Sequence, residues 1–512
     1  MKTVFVLFDS LNRHLLSPYG GTRIPTPNFD RLAERSVTFD KHYVGSMPCM
    51  PARRDMLTGR LSFLHRSWGP MEPFDNAFPK ILAAGKDTYS HLITDHFHYW
   101  EDGGATYHNR YNSYEFIRGQ EGDPWKAMVQ PHWQRLREKY HDHNFSNERR
   151  NYKSQNMINR EFIREEAEFP SVRVFDAGLA FLQQNADADN WLVQIETFDP
   201  HEPFYAPARF RENFKTGYQG PILDWPRYGR VDELPEECEE LRANYYATVA
   251  LCDHQLGRLL DEFDERNLWE DTALVVTTDH GFLLGEHDFW AKNRMNIYEE
   301  IAHIPLFVHD PRRAKKAGSR CDALTQTSDL AATFIDLHGA TEPEEMQSNS
   351  LLPLIDGSAS KREAVLYGYF GGAVNITDGH HTYHRYPPDL ATQEINQYTL
   401  MPTHIFDFFS PEELAEAQLE PAMAFTKSSP LLKVPVTARS PMYQVYGPGA
   451  LLEDTTLLFD LQTDPGQNNP IDDPATETRL AGMMSRLMAD ADAPVEAFQR
   501  LGLTDSGAAA SS

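Results

Sequence analysis

Cysteine is scarce: four in 512 residues, at 49, 238, 252 and 321, with no C-x-x-C spacing. That excludes a disulfide framework and suits a reducing compartment. Long apolar runs are missing too. No stretch approaches the roughly 18 apolar residues a membrane span needs. Near the N-terminus Val4–Phe8 is too short for a signal-peptide core. The expected compartment is the cytoplasm, with no membrane partner. Positive charge is in deficit, 48 Lys and Arg against 75 Asp and Glu, a formal net charge of -27. Nucleic acid and anionic membrane surfaces are thereby excluded as partners. A small anion is not, because a buried site sets its own field. The densest acidic run, VDELPEECEE, reads as a solvated face. Internal repeats are absent.

What is present is an ordinary globular composition, 41% apolar and 24% charged, in a chain long enough for two domains. TVFVLFD, WLVQIETFDP and TALVVTTDHG are short apolar runs that end in acidic residues. They read as buried parallel strands. Helical patterns lie between them, such as Asn244 to Phe263 and Ser328 to Ala340. Alternating strands and helices predict an α/β/α sandwich around a mostly parallel sheet. After the linker DGSASKRE the pattern turns to short aromatic strands, AVLYGYF, HTYHRYP and TLLFDLQTDPG. A small C-terminal antiparallel sheet is expected there. The predicted division is 1–360 and 361–512, with a disordered tail. Residues 130–170 read as a partly helical surface insertion.

In such folds ligands bind beyond the carboxyl ends of the strands. Four clusters sit there: Asp9 with Ser10; Cys49 in SMPCMPARRDMLTGR; His201 in TFDPHEPF; and Asp279 with His280, followed by Lys292. Each alone has an ordinary explanation, a helix cap, a turn or a buried thiol. Together, two carboxylates and an imidazole suit a divalent cation. If Pro51 opens a helix, its positive end and Arg53 face an anion. Arg, Lys, His and a cation around one nucleophile make a site for transfer of a tetrahedral oxyanion, sulfate or phosphate.

CMPAR, continuing as RDMLTGR, resembles the C-x-P-x-R…TG signature of the type I sulfatases. FDSLNRHLLSPYGG, DPHEPF, TTDHGFLLGEHDFWAKNRMN and LLFDLQTDPGQNNP are similar to family segments in the same order, over roughly residues 1 to 470. The resemblance implies the alkaline-phosphatase-like fold. It implies that a separate maturation enzyme oxidises Cys49 to formylglycine, whose hydrated aldehyde is the nucleophile. By the same resemblance Arg53 holds that group, and Asp9, Asp279, His280 and the Cys49 position ligate one divalent metal, Ca²⁺ or Mn²⁺. His201 and Lys292 contact the transferred group and assist the leaving oxygen. It further suggests a dimer or tetramer.

The chain departs from the pattern in three places. Ser10 stands where many sulfatases have a second aspartate. His280 stands where Asn is usual. TDHFH replaces a Gly-Lys-Trp-His segment, which leaves Thr94 and His96 as the expected substrate-facing residues. These departures resemble the phosphonate monoester hydrolases. The expected function is hydrolysis of small-molecule sulfate esters. The alternatives are phosphonate monoester or phosphodiester hydrolysis on the same scaffold, or a catalytically silent binder of a sulfated ligand.

Overall fold

The computed structural model describes residues 1–360, 362–445 and 447–504. The expected disordered tail falls almost wholly outside them. An eight-stranded sheet forms the centre. Its strands are β1 (Lys2–Phe8), β2 (Val37–Tyr43), β3 (Tyr89–Thr94), β4 (Ser113–Phe116), β5 (Trp191–Glu196), β6 (Thr272–Thr278), β7 (Leu306–His309) and β8 (Arg320–Gln326). Across the sheet they run β8-β2-β7-β6-β1-β5-β3-β4. All neighbours are parallel except β7, which is antiparallel to both β2 and β6.

β1 shows why these runs are apolar throughout. Its side chains alternate between two covered faces. Val4, Val6 and Phe8 pack on one side with Phe29, Phe175 and Leu256. Phe5 and Leu7 pack on the other with Met50, Phe78 and Phe334. Each such fully buried side chain contributes about 1.5–3 kcal/mol. The first face is covered by the helices Pro27–Arg35, Pro170–Gln184 and Pro235–Glu265; the second by Cys49–Thr58, Phe78–Lys86 and Asp329–Leu337. The α/β/α sandwich is therefore borne out.

The helix expected from Asn244 starts nine residues earlier, at Pro235. The acidic run is the reason: proline at the first helical position and Glu236 and Glu237 in the first turn suit a helix N-terminus. That run is also not all solvated, since Glu233 is buried and accepts a bond from Trp290 Nε1 at 2.7 Å. Between residues 130 and 170 the helices Trp133–Lys139 and Tyr152–Arg160 form.

The second sheet has five strands, in the order Leu457–Asp460, His381–Arg385, Val374–Thr377, Val365–Tyr369 and Ser46–Met47. Its last strand comes from the stretch just before Cys49 and pairs parallel to Val365–Tyr369. The division at residue 360 stays a proposal; the sheets share a segment across it. A third sheet, Asn396–Thr399, Leu431–Pro435 and Gln418–Glu420, has no signal in the sequence reading. No helix among the described residues is long and apolar enough to cross a membrane.

Candidate active site

Four neighbouring parallel strands, β6, β1, β5 and β3, end level with one another: Phe8 pairs with Thr278, Leu7 with Glu196, and Thr94 with Glu196. Their ends deliver Asp279 and His280, Asp9 and Ser10, Glu196, and Thr94 to His96 side by side. Ser10 adopts a left-handed backbone (φ 61°), and its N–H donates to Asp279 Oδ1 at 3.1 Å.

Cys49 is the first residue of its helix, two residues before the expected start at Pro51. Its side chain thus sits at the positive helix end. Arg53, one turn on, is 1% exposed. Its Nε donates to Glu196 Oε1 at 2.8 Å, its Nη1 to Asp279 Oδ2 at 2.6 Å and its Nη2 to Asp9 Oδ2 at 3.0 Å. Nη1 also reaches the Cys49 carbonyl at 3.1 Å. One guanidinium thus ties three strand ends to the helix.

Cys49 joins two groups of candidate donor atoms. With Asp9 and His96, and again with Asp279 and His280, the atoms lie within 4.8 Å of one another. His280 Nδ1 sits 2.9 Å from the Gly281 carbonyl, which only accepts, so the proton lies on Nδ1 and the Nε2 lone pair is free. That Nε2 is buried without a hydrogen-bond partner, as are both ring nitrogens of His96. A backbone carbonyl that fixes the tautomer of a ligating imidazole is the usual arrangement in metal sites. Two carboxylates, two imidazoles with orphaned nitrogens and full burial fit a divalent cation.

The electrostatics agree. Burial and the neighbouring Asp9 push the Asp279 carboxyl up to about 7. Burial also works against Asp9, but Lys292, His201 and Arg53 outweigh it and hold that carboxyl well below its usual range. Burial, then Asp9, pushes the Cys49 thiol well up. A cysteine nucleophile needs the opposite shift, so the unmodified thiol is poorly suited to attack.

Lys292 follows a small sheet of Gly229–Arg230, Phe289–Ala291 and Leu283–Leu284. Its Nζ donates to Ser10 Oγ at 2.7 Å and lies 3.7 Å from Asp9 Oδ1. Ser10 Oγ in turn donates to Asp9 Oδ1 at 2.8 Å. The serine in place of a second aspartate is a relay between lysine and carboxylate. His201 Nδ1 lies 2.6 Å from the Glu202 carbonyl, which leaves its Nε2 available. Burial, then Lys292, lowers its pKa well below the usual imidazole range.

Of the residues singled out in the sequence, Asp9, Cys49, Arg53, His96, Asp279, His280 and Lys292 converge, with His201 beside them. Thr94 does not join them: its hydroxyl accepts from the His96 N–H at 2.9 Å and shapes the loop. His96, read as substrate-facing, has its donor atom grouped with Asp9 and Cys49. Glu196 went unrecognised. It ends an apolar run as the other site acids do, but the sequence holds no sign of its pairing with Arg53.

The protein-family model Sulfatase matches residues 2–340. The N-acetylglucosamine-6-O-sulfatase of Bacteroides thetaiotaomicron is 28% identical over 427 residues, covering 72% of this chain and 74% of its own. A protein solved in complex with its substrate D-glucosamine-2-N,6-O-disulfate superposes with a TM-score of 0.65 at 17% identity, covering 97% of this chain and 99% of that one. The phosphonate monoester hydrolase of Agrobacterium radiobacter superposes with a TM-score of 0.63 at 17% identity, covering 95% of each. These two likenesses establish the fold alone. The family match spans well over half of the chain and takes in every strand end described above, and the chain belongs to the sulfatase family.

Proposed function

We propose that this sulfatase hydrolyses a sulfate ester through an oxidised Cys49 and a divalent cation. Sulfuric ester hydrolysis is its activity as a family member; the residue roles are our reading. The observation that carries them is the convergence of Cys49 with Asp9, His96, Asp279 and His280 around Arg53.

Oxidation of Cys49 by a maturation enzyme replaces sulfur and two hydrogens with one oxygen, and the hydrated aldehyde offers one hydroxyl to attack sulfur and a second to expel sulfate. Asp9, Asp279, His280 and the Cys49 position, with His96 as a further donor, would hold Ca²⁺ or Mn²⁺, which supplies positive charge where oxygen charge develops. Arg53 fixes the carboxylates and the start of the helix. Lys292, held by Ser10, neutralises a sulfate oxygen. His201 assists the leaving oxygen; the negative charge of a bound ester offsets the push of Lys292 and makes its protonation easier. Thr94 serves the site by holding the His96 loop.

A second reading, phosphonate monoester hydrolysis, is favoured by the lack of a lysine in Thr94 to His98 and by the similarity to a phosphonate monoester hydrolase. A singly charged phosphonate monoester needs no more positive charge than a sulfate ester. A cytoplasmic compartment and a dimeric or tetrameric assembly belong to the same proposal, resting on the lack of disulfide spacing and on the resemblance.

The test is co-expression with a maturation enzyme, mass spectrometry of the Cys49 peptide, and assays of aryl sulfate beside aryl phosphonate. The expected result is an aldehyde peptide and faster turnover of the sulfate. Cys49→Ala should reduce turnover to background while the protein stays folded. A peptide that remains thiol in an active preparation would refute the role of Cys49.

A further inference from the structure

Glu196 is a carboxylate at the centre of the site that the chemistry above leaves without a task. It closes β5, is 0% exposed, and belongs to neither group of candidate donor atoms around Cys49. Burying a carboxylate is costly unless it is paired and hydrogen-bonded. Both oxygens of Glu196 are taken. Oε1 accepts from Arg53 Nε at 2.8 Å, and Oε2 accepts from Gln194 Nε2 at 2.7 Å and from Tyr99 OH at 3.1 Å. Gln194 lies two residues back, on the same face of the strand. A carboxylate only accepts, so Gln194 turns its NH₂ toward Glu196, and its own oxygen accepts from Tyr111 OH at 2.5 Å. Gln194, Tyr99 and Tyr111 are all buried. Held by these bonds, Glu196 stays off the candidate donor groups and meets the site through Arg53.

Among the described residues, ion pairs link five charged side chains here. Arg53 meets Asp9, Asp279 and Glu196, and Lys292 Nζ lies 3.7 Å from Asp9 Oδ1. His96 and His280, as neutral imidazoles, offer a cation lone pairs and no charge. Asp9 and Asp279, both ionised to hold a cation, only match Arg53 and Lys292. Of the side chains so linked, Glu196 alone tips the cluster negative. It also occupies the Nε edge of Arg53, so that Nη1 serves Asp279 and Nη2 serves Asp9. In a site closed to water, one unit of charge at this range weighs heavily.

We propose that Glu196 is a positioning residue of the metal site: braced by Gln194 and Tyr99, it fixes Arg53 and supplies the negative charge that lets Asp9 and Asp279 take a divalent cation beside two buried positive side chains. The proposal rests on the metal reading given above. Glu196 touches neither the metal nor the substrate, yet it sets the affinity for the metal.

The experiment is calorimetric titration of the full chain and its variants with Mn²⁺ or Ca²⁺ alone, whichever the native chain binds more tightly, with the state of Cys49 matched by mass spectrometry. Glu196→Gln keeps the shape and removes the charge, and should weaken binding about tenfold. Tyr111→Phe removes one bond of the same network and no charge, and should bind within about twofold of the native chain. Joining Arg53→Met to Glu196→Gln removes one charge of each sign, and this double variant should bind the cation more tightly than Glu196→Gln alone. If Glu196→Gln fails to fold, the double variant set against Arg53→Met isolates the same carboxylate, and should bind about tenfold more weakly than Arg53→Met. Native-like affinity in folded Glu196→Gln, equal affinity in that second pair, or like losses in Glu196→Gln and Tyr111→Phe, which mark a purely structural role, overturns the proposal and leaves the metal reading standing. A native chain that binds neither cation overturns both.

Discussion

Arg53 and Arg66 are both fully enclosed, each 1% exposed, yet their surroundings differ in charge. Arg66 pins the loop after the Cys49 helix to the third sheet. Its Nη1 meets Glu72 at 2.5 Å and Thr399 Oγ1 at 2.7 Å, and its Nη2 donates to the Thr403 carbonyl at 2.8 Å. Among the described residues Glu72 is the one carboxylate paired with it, and neutral oxygens complete the fork. Arg53 contacts three carboxylates, Asp9, Glu196 and Asp279. Burial opposes the charge of both; it prevails at Arg66, and the three acids overcome it at Arg53. A balanced buried pair is complete as it stands and has a structural task. A buried cluster with surplus negative charge is incomplete, and asks for a cation.

Neutralising each arginine is the strongest way to break this comparison. Arg53→Met should reduce turnover at least a thousandfold, on the scale of losing a central electrostatic group. Arg66→Met should leave Glu72 unpaired and cost about 3–5 kcal/mol of stability, with turnover per folded molecule retained. Denaturant melts beside active-site titration separate the two effects. Equal activity losses in both variants would erase the distinction.

Lys292 tests whether positive charge at the site is catalytic beyond balancing Asp9. Lys292→Ala should lower kcat about a hundredfold. A loss under about threefold would make Lys292 a bystander, since one charge-stabilising donor is worth far more.

The surplus charge also carries a pH signature. Asp279, at about 7 without a cation, must give up its proton to bind one. Below that pH the proton competes, so apparent affinity for Mn²⁺ should fall about tenfold per unit of pH, and level off above it. Calorimetric titrations from about pH 5.5 to about 8 check this; a flat profile would show that Asp279 is not a ligand. The smallest effect concerns the relay. Ser10→Ala removes one bond to Asp9 and one acceptor of Lys292, and should reduce kcat/KM about fivefold, near 1 kcal/mol. Steady-state kinetics with an aryl sulfate reads it; an unchanged value would make the serine incidental.

Much of the fold was legible in the chain. Runs such as Val4–Phe8 are apolar at every position, and only a sheet covered on both faces buries every position. The site acids Asp9 and Asp279 were legible for the same reason, as polar residues abruptly ending such runs. Two features resisted. The third sheet is built from Asn396–Thr399, Gln418–Glu420 and Leu431–Pro435, strands too short and mixed to show a period. Thr94 and His96 could not be told apart, since neighbours in sequence differ in role only through side-chain direction. His96 turns to Asp9, while Thr94 turns to its own loop.

The sequence alone determined the family signature around Cys49, the α/β alternation and the acids closing β1 and β6. These rest on local patterns that a single chain displays. Tertiary structure alone decided that Glu196 shares Arg53 with Asp9 and Asp279, and that Ser10 links Lys292 to a carboxylate. It also decided that Ser46–Met47 leaves the main sheet for the C-terminal one. These contacts join residues 143, 282 and, at Gly368, over 300 positions apart. Their pairing depends on which strand ends the sheet order brings level, and that order is set by packing across the whole core.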